Sequence, residues 1–378
     1  MPKKKVLLVA NTDWYLYNFR LSLGKFLRDK GFDVVFVSPD GEYRESILRN
    51  GFQHIKWHLN RRSTSIFSEV KALIELVRIY KKENPNLVHH FTIKPVLYGS
   101  IASRFINIKA VVNSITGLGY IFLSNDWKGK LLRLLVFPIY KFSLSHPNNF
   151  IIFENSFDRD VFLKNKFIRK ERSSIIQGVG VDEVYYGYSS DPKVEVPLVI
   201  LPARMLYDKG INTLVEAAKK LKSMVAVRIA LVGDVDPGNP STIDVSTIRK
   251  WENDGLVEWW GFQQDMRHIY QNCNIVTLPS FGEGLPTVLI ESAASGRPIV
   301  ASDVAGCRDV VKDGVNGFLV PPKDSEALAN AIHTLINNPN MRVEMGLEGR
   351  KLVLENFTSK IVNENTYQIY LEILNDKS

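Results

Sequence analysis

A chain of 378 residues is too long for one ordinary core, so two α/β-sized domains are expected. Hydrophobic and charged fractions of 45% and 23% suit a soluble globular protein, and no apolar run approaches the roughly 18 residues of a spanning helix. Two cysteines, Cys273 and Cys307, argue against a disulfide framework and for a reducing cytosol, and the net charge of +8 is unevenly placed. Residues 1–185 hold 29 Lys and Arg against 16 Asp and Glu, whereas the rest hold 19 against 24. A basic first half suggests an anionic partner (a membrane surface, a phosphorylated acceptor or nucleic acid), although unequal charge between domains is common.

The first residues imitate a secretory signal, but the apolar run stops after five residues and reads as a buried strand, Val6–Ala10. Further strands are expected at Val34–Ser38, Leu87–Phe91, Ala110–Ser114 and Phe150–Phe153, with helices at Phe19–Lys30 and Ser68–Glu83. Residues 127–142 mix basic and large apolar side chains, which fits an interfacial membrane segment or a core helix with basic ends. Arg61 and Arg62 would add to the same basic face. Residues 182–197, rich in Tyr, Ser, Asp and Pro, read as a linker.

The pattern then restarts. Strands are expected at Leu198–Leu201, Arg228–Val232, Val257–Trp260, Ile275–Leu278 and Ile299–Ser302, with helices such as Gly210–Lys222 and Asp324–Asn337 between them. The fold class is therefore α/β: two doubly wound, Rossmann-like domains at 1–181 and 198–358, joined by the 182–197 linker, with ligand sites at carboxyl ends of strands and in the cleft between domains. A last helix within 359–378 follows, which could pack back on the first domain.

One stretch concentrates the chemistry. The run Asn274–Pro279 reads as a buried strand, Ser280–Leu285 as a Gly-rich turn, Pro286 as the first turn of a helix, and Gly296 as the residue past its end. Free backbone N–H groups and a positive dipole end at such a helix mouth suit an anion. Glu283 lies at the mouth and Glu291 on the helix, on the order of 12 Å apart at 1.5 Å per residue. That is too far for a glycosidase pair, which needs roughly 5 to 9.5 Å, but suits gripping two ends of an elongated ligand around a phosphate. Arg204 and Lys209 follow the first strand of the second half, where two cations could clamp a diphosphate or simply be solvated. Neither half carries G-x-G-x-x-G after its first strand, which disfavours a nicotinamide enzyme. There is no P-loop, no H-E-x-x-H and no cluster with metal-ligand spacing.

Read together, these residues resemble the retaining glycosyltransferases of family 4, which have the GT-B fold. The family's signature of a Glu, seven residues and a second Glu stands as Glu283–Glu291, and its Arg and Lys five apart as Arg204 and Lys209. Further likeness follows in Gly296–Asp303 and Asp313–Pro321. The resemblance covers essentially the whole chain and is most specific over residues 200–325. It implies a glycosyltransferase with two Rossmann-like domains facing across a cleft, no cofactor and no metal. Glu283 would hold the donor sugar's hydroxyls, and the backbone of Phe281, Gly282, Gly284 and Leu285 would meet sugar or phosphate. Glu291 would accept hydrogen bonds from ribose, Arg204 and Lys209 would hold the diphosphate as leaving group, and Gly261 and Phe262 would meet the base.

In the first half, Leu87–Gly99 resembles the family's His-bearing strand end. Alternation would turn only one of His89 and His90 toward the cleft, and His90 is favoured as the catalytic one. Asn113–Tyr120 resembles a turn of enzymes that extend lipid-linked bacterial oligosaccharides, particularly N-acetylhexosamine transferases, which makes Thr116 and Gly117 acceptor candidates. The family's glycine-rich first turn is replaced by Asn11–Trp14, so Asp13 is placed toward the acceptor, and Arg20 could contact an anionic acceptor.

The resulting expectation is a cytoplasmic, peripherally membrane-associated enzyme of surface glycan biosynthesis, such as O-antigen. It would move a sugar, an N-acetylhexosamine from UDP, to a lipid-diphosphate-linked saccharide at the inner membrane face, with no nucleic-acid partner. Two other readings stand beside it. One keeps the fold and changes the reaction to a UDP-sugar 2-epimerase or a phosphorylase-like enzyme. The other is a non-catalytic two-domain sugar-binding protein, for which secretion would be expected.

Overall fold

A computed structural model describes residues 3–60, 65–117 and 127–375. The chain divides into two units, Met1–Val179 with Ser359–Ser378, and Gly180–Thr358.

The first unit holds a seven-stranded parallel sheet: β1 (Lys5–Val9), β2 (Asp33–Ser38), β3 (Gln53–Lys56), β4 (Leu87–Phe91), β5 (Ala110–Ile115), β6 (Asn149–Phe153) and β7 (Ser173–Ile175). They lie in the order 3-2-1-4-5-6-7. The continuous apolar runs of β1 and β2 are those of strands covered on both faces. Val6, Leu8 and Ala10 pack on one side and Leu7 and Val9 on the other. Its helices are α1 (Asp13–Asp29), α2 (Arg44–Arg49), α3 (Ile66–Glu83), α4 (Ile93–Ile106), α5 (Trp127–Leu144) and α6 (Ser156–Lys164).

Helix α1 begins six residues before the expected Phe19. Thr12 is its cap, accepting a hydrogen bond on Oγ1 from the Tyr15 N–H at 3.1 Å, and Asp13 complements the dipole in the first turn. Leu16, Arg20, Leu23 and Leu27 then recur at helical spacing on its buried face. Strands β3 and β7 escape a reading by apolar runs because both are short edge strands carrying polar residues.

The second unit repeats the plan with β8 (Leu198–Pro202), β9 (Arg228–Val232), β10 (Glu258–Gly261), β11 (Ile275–Leu278), β12 (Ile299–Ser302) and β13 (Gly317–Val320). The spatial order is β10-β9-β8-β11-β12-β13, again 3-2-1-4-5-6 and again all parallel. This is the doubly wound arrangement, in which the order reverses between the first and fourth strands of each sheet. Its helices are α7 (Ile211–Leu221), α8 (Val245–Asn253), α9 (Met266–Asn272), α10 (Thr287–Ala294), α11 (Ala305–Val310), α12 (Ser325–Asn337) and α13 (Pro339–Asn356).

Two connections differ from the sequence expectation or extend it. Residues 182–197 are built into the second unit instead of hanging free. Arg342 binds Asp191 at 2.8 Å, the buried Arg297 donates to the Ser189 and Ser190 carbonyls, and Arg350 donates to those of Glu183 and Tyr186. Backbone carbonyls of an irregular segment need donors, and Arg297 and Arg350 supply them, while Arg342 anchors the segment through the Asp191 carboxylate. The last helix, α14 (Ser359–Asn375), belongs to the first unit, where Val362, Ile369, Tyr370 and Ile373 join the core cluster lined by α1, and Asn363 donates to Ser22 at 2.9 Å.

Candidate active site

The second sheet reverses its order between β8 and β11, and the loops that leave these two strands carry the charged residues singled out from sequence. After β8 come Arg204 and a single 3-10 turn, Tyr207–Lys209, then Gly210 opening α7 with φ +71. A side chain at 210 is impossible, because a Cβ would stand 1.9 Å from the Pro279 carbonyl oxygen at the end of β11. That close approach brings the two loops together. The Phe281 N–H donates to the Asp208 carbonyl at 2.9 Å, and Lys209 Nζ donates to Glu283 Oε1 at 2.6 Å. The Lys209 and Glu283 side chains keep 24% and 10% of their exposure, so the pair is largely enclosed, with the lysine the more accessible member.

The Glu283 turn is fixed from its other side by α11. A Cβ at Gly306 would stand 2.2 Å from the Gly284 carbonyl oxygen, so only glycine lets that helix support the turn. Phe281 and Gly282 are exposed, Glu283 and Gly284 half-buried, and Leu285 buried beneath them. Pro286, expected in the first helical turn, stands one place earlier, at the cap of α10. At the far end, Gly296 with φ +79 closes the helix. The Gly296 and Arg297 N–H groups bind the Ala293 and Ser292 carbonyls, the two bonds of a Schellman motif.

Arg204 is exposed and donates from Nη1 to Asp236 Oδ2 at 2.6 Å. Glu291 lies in the second turn of α10. Desolvation pushes its carboxyl up to about 7, partly opposed by hydrogen bonds from Tyr270, whose hydroxyl lies 3.0 Å away, and from Tyr186 of the 182–197 segment. Gly261 ends β10 with φ +65, and the exposed Phe262 gives its N–H to Asp234 Oδ1 at 3.0 Å. Asp234, Asp236, Tyr186 and Tyr270 were not singled out from sequence. Gly233–Asp234 at the end of β9 was the available signal for the first of these. The two tyrosines are distant in sequence from Glu291 and carried none.

In the first unit the structure corrects two assignments. His90 is fully buried, and alternation instead places it among the α3 and α4 side chains: Nε2 lies 2.7 Å from the Tyr80 hydroxyl, Nδ1 lies 2.8 Å from Asn113 Oδ1, and a Cβ at Gly99 would collide with the ring. Burial lowers its pKa to about 4, so it is a neutral packing group with both nitrogens engaged, and its task is structural. His89 is equally buried, between Tyr370 and Ser114. Asp13 is also inward: its carboxylate accepts the Trp14 and Tyr43 N–H groups, at 2.8 and 2.9 Å, and so pins the loop at Gly41 instead of facing an acceptor. Thr116 and Gly117 follow β5 and are half-buried, Gly117 with φ +132. Gly119, Tyr120, Arg61 and Arg62 lie outside the described residues.

The two halves match two family models, "Glycosyl transferase 4-like" over residues 5–155 and "Glycosyl transferases group 1" over residues 196–338. The chain is a family 4-like glycosyltransferase. Among its relatives, this enzyme is 26% identical over 371 residues to an N,N'-diacetylbacillosaminyl-diphospho-undecaprenol alpha-1,3-N-acetylgalactosaminyltransferase of Campylobacter jejuni, covering 95% of this chain and 96% of the relative. It is 26% identical over 369 residues to the capsular polysaccharide biosynthesis glycosyltransferase CapM of Staphylococcus aureus, covering 93% of each. Its fold, of GT-B type, is that of HepE from Anabaena, solved with UDP and glucose, with a TM-score of 0.78 at 20% identity over 97% of this chain and 99% of that one.

Proposed function

We propose that this glycosyltransferase moves an N-acetylhexosamine from UDP to a hydroxyl of a lipid-diphosphate-linked saccharide, with retention at the anomeric carbon, during assembly of a bacterial surface glycan. The observation that carries the donor half is the Lys209–Glu283 pair at the switch point of the second sheet. Ligands of doubly wound sheets bind at that point, and the site offers a cation for phosphate beside a carboxylate for sugar hydroxyls. Arg204 adds a second cation. Ionised Glu291 accepts from the ribose hydroxyls, and the Gly261–Phe262 loop meets the base. The acceptor half is supported by relatives whose names specify diphospho-undecaprenol substrates and by the basic first unit.

In the proposed reaction the anomeric C–O bond to the β-phosphate breaks, the acceptor oxygen bonds to the same face of the anomeric carbon, and the acceptor proton passes to the departing phosphate oxygen. Lys209 and Arg204 stabilise the charge that develops there, without a metal ion. No helix among the described residues is long and apolar enough to cross a membrane. Attachment to the inner membrane face is supported instead by the packed layer of α3, α4 and α5. Ile66, Phe67, Val70 and Ile74 on α3, Phe105 on α4, and Leu134, Ile139 and Phe142 on α5 are all exposed there.

The test incubates the full-length protein with a panel of UDP- and GDP-sugars and a lipid-diphosphate saccharide, with and without EDTA, and reads the product anomer by NMR. Transfer from a UDP-N-acetylhexosamine with unchanged configuration, insensitive to EDTA, is the expected result. Inversion, or turnover only with a GDP-sugar, overturns it.

A further inference from the structure

Among the described residues, the first unit contains one buried Lys or Arg, and it makes no ion pair with any of them. Arg20 is only 6% exposed. Its guanidinium lies over the Phe91 ring, 4.2 Å from the centroid, and Nη2 donates to the Tyr15 hydroxyl at 2.9 Å. Nε is buried with no hydrogen-bond partner. Glu154, just after β6, bears electrostatically on Tyr15, as Arg20 itself does. A buried cation left this way costs several kcal/mol, and a well-packed apolar residue would be cheaper.

The place is as informative as the charge. Arg20 belongs to the helix that follows β1 and stacks on the last residue of β4, the two strands between which the first sheet reverses its order. The next residue, Thr92, holds φ +70 and ψ 158, a region essentially reserved for glycine, and its Oγ1 is likewise buried without a partner. Thr92 opens the 14-residue α4 without capping it through its side chain. A helix start without a side-chain cap, one residue after the ring on which a buried guanidinium stacks, suits a phosphate, and the planar fork of Arg can grip it through two parallel N–H groups.

We propose that Arg20 and the start of α4 at Thr92 form an anion subsite at the switch point of the first sheet, which takes a phosphate group of a phosphorylated acceptor. The acceptor rests on the transferase reading above; the anion site does not. The source of the phosphate can be a lipid diphosphate or a soluble phosphorylated saccharide, and the test separates them.

Full-length protein labelled with ¹⁵N-arginine is saturated with UDP to fill the donor site, then titrated separately with inorganic pyrophosphate and with geranyl diphosphate. The Arg20 Nε–H signal, assigned by its disappearance in Arg20→Lys, is expected to shift in both titrations. Arg20→Met is expected to weaken both ligands at least tenfold while UDP affinity stays within twofold. Tenfold tighter geranyl diphosphate supports the subsite with a lipid-linked acceptor; equal affinities support it with a soluble one. An unmoved Arg20 signal, or wild-type affinity for both ligands in Arg20→Met, overturns the proposal, and the wild-type signal decides alone should Arg20→Met fail to fold. Failure of UDP to bind would count against the transferase reading while leaving the Arg20 readout intact.

Discussion

The two units are built on one strand order and put it to opposite uses. In the second, the switch-point loops carry half-buried Lys209 and Glu283 and exposed Arg204, each held by an ion pair that a ligand can replace. In the first, the start of α1 after β1 carries Asp13, and β4 carries His89 and His90, whose polar atoms are already engaged inside the unit. Overall charge diverges as well: 31 Lys and Arg against 17 Asp and Glu in the first unit, 17 against 23 in the second. The topology therefore supplies the place for a site, and what makes one is whether polar groups there remain available after folding. Among the described residues at the first sheet's switch point, Arg20 and Thr92 meet that condition.

The largest effect expected from this contrast is in the second unit. Lys209→Ala and Glu283→Ala should each lower kcat/KM on the order of 10²–10³-fold or more, the scale of losing one charge-stabilising group at the reacting atoms. The fold should survive, since the pair is not buried. Near wild-type rates in either variant would remove the donor site from this switch point. His90→Ala should do the reverse: it leaves a cavity and strips partners from Tyr80 and Asn113, costing about 2–4 kcal/mol of stability. Turnover per folded molecule should stay within about twofold. A collapse of kcat at unchanged melting temperature would restore His90 to the chemistry and end the contrast.

The same contrast governs what was legible in the sequence. The second unit's site could be read because its residues sit at short, fixed offsets: Arg204 to Lys209, and Glu283 through Glu291 to Gly296. Each offset reflects local geometry, a loop after a strand or one helix with its ends. The choice between His89 and His90 needed more. Strand alternation separates their faces, but which face is covered depends on α3, α4 and α14, and α14 lies some 280 residues away from His89. Asp13 misled for a related reason: a carboxylate in the turn after the first strand looks available until the Gly41–Tyr43 loop is seen folded onto it. Long-range packing decides burial, and burial decides availability.

Acid should sharpen the comparison next. In the first unit, burial lowers the pKa values of His54, His89, His90 and His146, that of His90 to about 4. Below pH 6.5 the unfolded chain takes up protons that the native unit refuses, so stability falls as pH drops toward 4, by up to roughly 3 kcal/mol for His90 alone. Glu291 acts in the opposite sense. With its pKa raised to about 7, the native second unit holds a proton that the unfolded chain releases above about 4.5, so its contribution to stability falls as pH rises through that window. Hydrogen exchange at pH 5 and pH 7.5 should show β4 and β5 losing protection in acid before β8 and β11. Uniform loss across both units would contradict this division.

The smallest expected effect isolates how the second unit keeps Glu291 usable. To accept from ribose the carboxyl must be ionised, and burial opposes that. The hydroxyls of Tyr270 and Tyr186 favour the ionised form and hold the pKa near 7 instead of higher. Tyr270→Phe removes the bond made at 3.0 Å and should move the Glu291 pKa upward. At pH 7 fewer molecules then carry the charged carboxylate, and UDP affinity should fall about 3- to 10-fold, equivalent to roughly 1 kcal/mol. Two units higher, both proteins are ionised and the gap should close, with kcat little changed throughout. A deficit in affinity that is the same at pH 7 and pH 9 would mean that Tyr270 merely packs against α10, because lost packing has no reason to recover when a proton leaves Glu291.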